Sequence, residues 1–140
     1  MSAKGNQLES DILNHQYRTA TWSKPGSVWV ALFTANPTDA GSGAEVTGGA
    51  YARVEVPCLD ANWNAPTDDG SGNQIVTNAA AITFPTPSGN WTGPITHFAT
   101  MSASTGGTVR HYGALATSRT VNNGDVAPSF AAGALTLGEG

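Results

Sequence analysis

The chain is short of charge. Six Lys and Arg and ten Asp and Glu make up 11% of its 140 residues, where a soluble domain ordinarily carries about 25%. Disordered segments combine low hydrophobicity with high net charge, so this composition argues for a folded chain. The basic residues are fewest where a nucleic acid would need them: none falls between Arg53 and Arg110, and the formal charge is −4. Direct nucleic-acid binding, which requires a basic footprint, is not expected. Cysteine is almost absent as well. Cys58 stands alone, which rules out an intrachain disulfide and any cysteine-based metal cluster. Apolar runs are short, the strongest being residues 28–33 (VWVALF). A membrane span needs about 20 residues, so no membrane partner is expected. Residues 1–11 are polar, with no apolar stretch after Lys4 of the kind a signal peptide requires. The expectation is a soluble protein made in a cytoplasm.

Catalytic patterns are missing too. There is no G-x-S-x-G nucleophile elbow, and neither G-x-G-x-x-G nor G-x-x-x-x-G-K-[ST] occurs despite 17 glycines. His15, His97 and His111 have no carboxylate or cysteine near them at ligand spacing, so they read as hydrogen-bonded strand or interface residues. Asp68, Asp69 and Asn73 surround Gly70 and Gly72, yet the spaced acids ending in a bidentate Glu that hold Ca²⁺ are not there. Asp and Gly in that density favour a solvated turn. Asp60 and Asp68 are loop residues and nominate no carboxylate pair for glycoside hydrolysis. No enzyme activity, cofactor or metal is expected.

What the chain has is Gly, Ala, Thr, Ser and Asn, punctuating short apolar segments. Its length supports one core, burying roughly 65–70% of the surface the unfolded chain exposes. Residues 8–18 (LESDILNHQYR) place Leu8, Ile12 and His15 along one helical stripe with Leu13 and Tyr17 close by. Asn6 is the expected N-cap and Glu9 and Asp11 the favourable acids of the first turns. Beyond this helix the spacing is that of strands. Residues 27–34 are apolar on both pleat faces, as in a central strand covered on both sides. A loop over 36–49 is followed by alternation over 51–58, with Tyr51, Arg53 and Glu55 opposite Ala52, Val54 and Val56.

Residues 65–73 form a second turn cluster, and 74–84 read as one or two short strands closed by Pro85. Residues 94–101 and 108–117 flank a Gly-containing connection of hairpin length and should pair antiparallel. Short segments follow at 119–121, 126–131 and 134–137, with a turn at 122–125. Seven or eight short strands at this spacing predict an all-β fold, a single-domain antiparallel β-sandwich or jelly roll over residues 25–140, with a short N-terminal helical arm over residues 1–24.

The aromatic residues divide between core and contact. Trp29 and Tyr51 lie in strands and are expected in the core. Trp63 and Trp91 sit beside loops rich in Asn, Gly and Pro, and aromatics are enriched at protein interfaces. With Leu8, Ile12, Leu13, Tyr17 and Trp22 of the arm, they make up the expected interface.

Residues 30–40 (VALFTANPTDA) and 45–53 (EVTGGAYAR), continued by 79–84, 91–98 (WTGPITHF), 112–116, 120–123 and 130–137 (FAAGALTL), resemble a family of small tailed-phage virion proteins whose members are often labelled tail fibre proteins. The likeness covers nearly the whole chain through turn and strand residues. It implies a β-sandwich that assembles on the virion. Between the two placements, a long fibre usually needs a repetitive or coiled-coil shaft, and this chain has neither heptads nor repeats. The expectation is therefore a head decoration, or cement, protein held by the major capsid protein or other virion proteins as a homo-oligomer, in one version a trimer. The alternative is a tail fibre or minor tail protein with a role in host adhesion.

Overall fold

The computed structural model describes residues 2–138. In chain order its elements are β1 (Ala3–Lys4), α1 (Asn6–Tyr17), β2 (Ser27–Phe33), β3 (Val54–Pro57), β4 (Thr67–Asp68), β5 (Gln74–Thr77), β6 (Ile82–Thr83), β7 (Ile95–Met101), β8 (Val109–Arg119), β9 (Ser129–Phe130) and β10 (Thr136–Gly138). One layer is an antiparallel sheet in the order β1-β8-β7-β2-β3. Facing it are a three-stranded sheet, β10-β5-β4, and the pair β6-β9. The all-β sandwich expected from strand spacing is what forms.

β2 is central because its two faces are both apolar. Val30 and Leu32 point between the layers, where they meet Ile82, Phe84, Ile95, Phe98 and Leu135. Ala31 and Phe33 point to the other side and pack with Ala99, Met101 and Val109. The loop after β2 covers that outer face. Its Pro37 is fully buried, Val46 N–H donates to Leu32 O at 2.9 Å, and the Tyr112 hydroxyl donates to Asp39. The expected pair of residues 94–101 and 108–117 is present as β7 and β8, joined through 102–108. Their register slips at the far end: two steps on β7, from Ile95 to His97, face five on β8, from Ala114 to Arg119. The three extra residues of β8 break the regular ladder there.

Several local expectations need correction. α1 begins at Asn6, and its N-cap is Gly5, which makes no side-chain capping bond. Gly5 is required there because a Cβ would lie 2.3 Å from Val109 O. The alternation over 51–58 holds only from Val54 onward, with Glu55 exposed and Val56 buried. Before it the pattern inverts, since Tyr51 packs on the core and Ala52 is exposed. Residues 67–68, inside the expected turn cluster, pair with β5. The N-terminal segment is tied to the sandwich: β1 pairs with β8, and Gly138 N–H donates to Ser2 Oγ at 2.6 Å.

Candidate contact site

α1 is held along the edge of the main sheet by three contacts. Gly5 N–H donates to Arg110 O at 2.8 Å, Leu8 is buried at 5% exposure, and Arg110 Nη1 bonds Asp11 Oδ2 at 2.7 Å. The Arg110 bond, with a second from Gln7 Nε2, holds the Asp11 carboxyl below its ordinary range. From α1 the chain runs extended to β2. Trp22 N–H donates to His15 Nδ1 at 3.3 Å, and Lys24 Nζ donates to Cys58 O at 2.7 Å.

This path leaves a groove of about 300 Å³ at the end of the sandwich where β2 begins. Leu8, Trp22 and Val28 form one side, with Trp63, Ile75 and Leu137 across from them. The lining is almost wholly apolar. One polar feature stands out: Arg110, which lines the groove, has its Nε buried without a hydrogen-bond partner. A buried donor left unmade costs on the order of 1–3 kcal/mol. Burial raises the Cys58 thiol, also in the lining, so it stays protonated and a weak nucleophile at neutral pH. Among the described residues no three His, Cys, Asp or Glu side chains gather as a metal site, and no helix is long and apolar enough to cross a membrane.

The expected contact residues are placed unequally. Trp22 and Trp63 are half-buried and both line the groove. Leu13 and Tyr17 are exposed, at 56% and 73%, while Ile12 is half-buried. Leu8 faces inward. Trp91 is a correction: at 5% exposure it belongs to the core, edge-on to Tyr51, with its Nε1 donating to Gly49 O at 2.8 Å. The surrounding loops put it there. Thr92 N–H bonds Thr47 O at 2.7 Å, and Gly49 lies so close to Gly89 that a Cβ would meet its N at 2.3 Å.

A second site was missed by alternation. Arg53, which alternation puts on one strand face with Tyr51 and Glu55, has its side chain 7% exposed. It grips Glu45 through two bonds, at 2.8 and 2.7 Å, and its Nη1 donates to Ala103 O and Gly106 O at 2.7 and 2.8 Å. This fork ties the β7–β8 connection to the loop after β2. The pairing of Glu45 with Arg53 eight residues later was the available signal.

A comparison with curated proteins gives no match. A family model described as podophage GP4 fiber I protein gp80 matches residues 3–138. That span takes in both layers, the arm and the groove. It agrees with the fibre alternative and does not extend to head decoration. The chain belongs to the family of the podophage GP4 fiber I protein gp80, a fibre-type structural family of the phage virion.

Proposed function

We propose that this chain is a structural subunit of a podophage fibre and works by protein contacts rather than by catalysis. The observation that carries the reading is the family match over residues 3–138. The groove-bearing end of the sandwich suits it, since aromatic and aliphatic side chains there are assembled around an opening rather than closed over. A fibre position also brings the finer expectation of contact with the host surface.

Gold-labelled antibody against the chain, imaged on intact virions, tests the placement. Label at the tail is the expected result. Label distributed over the head would overturn the fibre reading in favour of capsid decoration. Binding of the purified protein to host cells tests the adhesive role separately.

A further inference from the structure

Two turns place a glycine directly after an acid or its amide: Asp69-Gly70 and Asn123-Gly124, the only Asp-Gly and Asn-Gly steps in the sequence. At such a step the glycine nitrogen can close on the preceding side-chain carbonyl carbon as a cyclic imide, and glycine has no Cβ to obstruct the closure. The structure treats the two turns differently. Gly70 N–H already donates to Asp68 Oδ1 at 2.6 Å. The Asp69 carboxylate accepts from Ser71 N–H at 2.7 Å, Asn73 N–H at 3.2 Å and Asn73 Nδ2 at 3.1 Å, so both reacting groups are engaged. At the second turn hydrogen bonds hold only the flanks. Asn122 N–H donates to Asp125 Oδ2 at 2.8 Å, Asp125 N–H to Asn122 O at 3.1 Å, and Asn123 N–H to Asn90 Oδ1 at 2.8 Å. Among the described residues nothing bonds Gly124 N–H or the side-chain amide of Asn123. Both residues are exposed. A Cβ on Gly124, whose φ is +84°, would meet nothing within 4 Å, so water reaches the turn and the Asn123 side chain has room to swing over its own main chain.

We propose that Asn123 is a site of spontaneous covalent modification in the folded protein, through attack of Gly124 N on its side-chain carbonyl carbon. Asparagine is among the thermally labile side chains, and here the fold leaves one of them open. The Gly124 nitrogen gives its proton to solvent base and bonds to Asn123 Cγ; the Cγ–Nδ2 bond breaks and Nδ2 leaves as ammonia. Water then opens the imide at one carbonyl or the other. The product is aspartate or, with the main chain rerouted through the side chain, isoaspartate. Water and solvent base are the sole co-reactants, and nothing is oxidised or reduced. Either product adds a negative charge beside Asp125. Isoaspartate also lengthens the main chain by one carbon at the residue whose N–H fastens this turn to Asn90, ahead of β7. Loss of ammonia makes the change one-way, so the modified fraction records the age of the protein. It falls on a turn that does not line the groove.

Mass spectrometry of the purified folded protein, aged in mildly alkaline buffer, tests this. Tryptic cleavage of the denatured samples after Arg53, Arg110 and Arg119 releases residues 54–110 and 120–140, which carry the two steps separately. With time, peptide 120–140 should gain the mass of exchanging NH for O, localised to Asn123 by fragmentation, and should split into two chromatographic isomers. Peptide 54–110 should keep Asp69 as ordinary aspartate. The decisive comparison is with a synthetic peptide of residues 120–140 aged under the same conditions. The folded protein should react within about tenfold of that rate, a barrier difference below about 1.4 kcal/mol. N123Q, aged alongside, should lose the mass gain in this peptide. A folded protein that reacts more slowly than that margin shows that the bonded turn shields Asn123, and overturns the proposal. So does N123Q that gains mass at the wild-type rate, which would place the reaction at Asn122, or isoaspartate that accumulates as fast at residue 69.

Discussion

Asn78 is fully buried, and its side chain has every hydrogen-bonding group in use. Nδ2 donates to Ala80 O and Ala131 O, both at 2.8 Å, and Oδ1 accepts from Leu135 N–H at 2.8 Å. Its main chain adds bonds to Leu135 and Gly133, so one residue fastens the segment leading into β10. Asn78→Leu should cost roughly 2–4 kcal/mol, since it strands the buried Leu135 N–H, takes a partner from the part-buried carbonyls of Ala80 and Ala131, and puts a larger side chain in a filled site. Urea denaturation at fixed pH checks this; a loss below about 1 kcal/mol would show that the segment finds other partners. Arg53 belongs to the same class. Arg53→Ala leaves Glu45 with the Tyr51 hydroxyl alone and frees two loop carbonyls, at an expected cost of about 1–3 kcal/mol, with faster amide exchange over residues 102–108. Neither role was read from the sequence, although the spacing of Glu45 and Arg53 offered a signal for the second. Three of the residues Asn78 bonds, Ala131, Gly133 and Leu135, lie more than fifty residues away, and Asn78 itself falls inside the run over 74–84 expected to form strands. Alternation assigned Arg53 to a strand face, whereas the strand begins only at Val54 and the Arg53 side chain is held by loops.

At the scale of elements, legibility followed the strength of the pattern. β2 announced itself by apolar residues on both faces, and β7 with β8 by two apolar runs around a glycine turn. β1 could not be read, because two residues of ordinary polarity have no period and their pairing with Tyr112 and His111 is set from outside. The helix was legible in position, but its cap was not: the close approach of Gly5 to Val109 overrides the capping preference of Asn6. What holds α1 to β8 includes the Asp11–Arg110 bridge, and this gives a pH dependence. Asp11 titrates lower in the folded chain than in the unfolded one. Its contribution is therefore present above the ordinary carboxylate range and is lost as pH falls through the lowered folded value. The groups are partly exposed, 17% and 20%, so the amount is about 1 kcal/mol or less. The stability difference between wild type and D11N should be visible at pH 6 and should vanish near pH 2. A difference that persisted at low pH would assign the effect to packing of the helix instead.

At the scale of the molecule, the N-terminal arm and the sandwich share their structure. β1 extends the main sheet, Leu8 closes one wall of the groove, and Ser2 meets Gly138 at the other terminus of the chain. Removing residues 1–18 therefore takes away core as well as surface. Loss of Leu8 burial alone amounts to about 1.5–3 kcal/mol, and the β1 pairing adds to it. At about 2–4 °C per kcal/mol for a domain near this size, the melting temperature should fall by roughly 5–12 °C. The groove, opened on that side, should also bind a hydrophobic dye. Scanning calorimetry and dye fluorescence measure the two effects, and an unchanged melt would mean that the arm rides on the sandwich without supporting it. The consequence for any attachment assay is direct. A truncated chain that fails to bind has lost fold and surface together, whereas substitution of Leu13 and Tyr17, already exposed, changes surface alone at a cost within about 0.5 kcal/mol. Attachment through the outer face of α1 is thus separable from attachment through the groove by which pair of side chains, Leu13 with Tyr17 or Trp22 with Trp63, abolishes it.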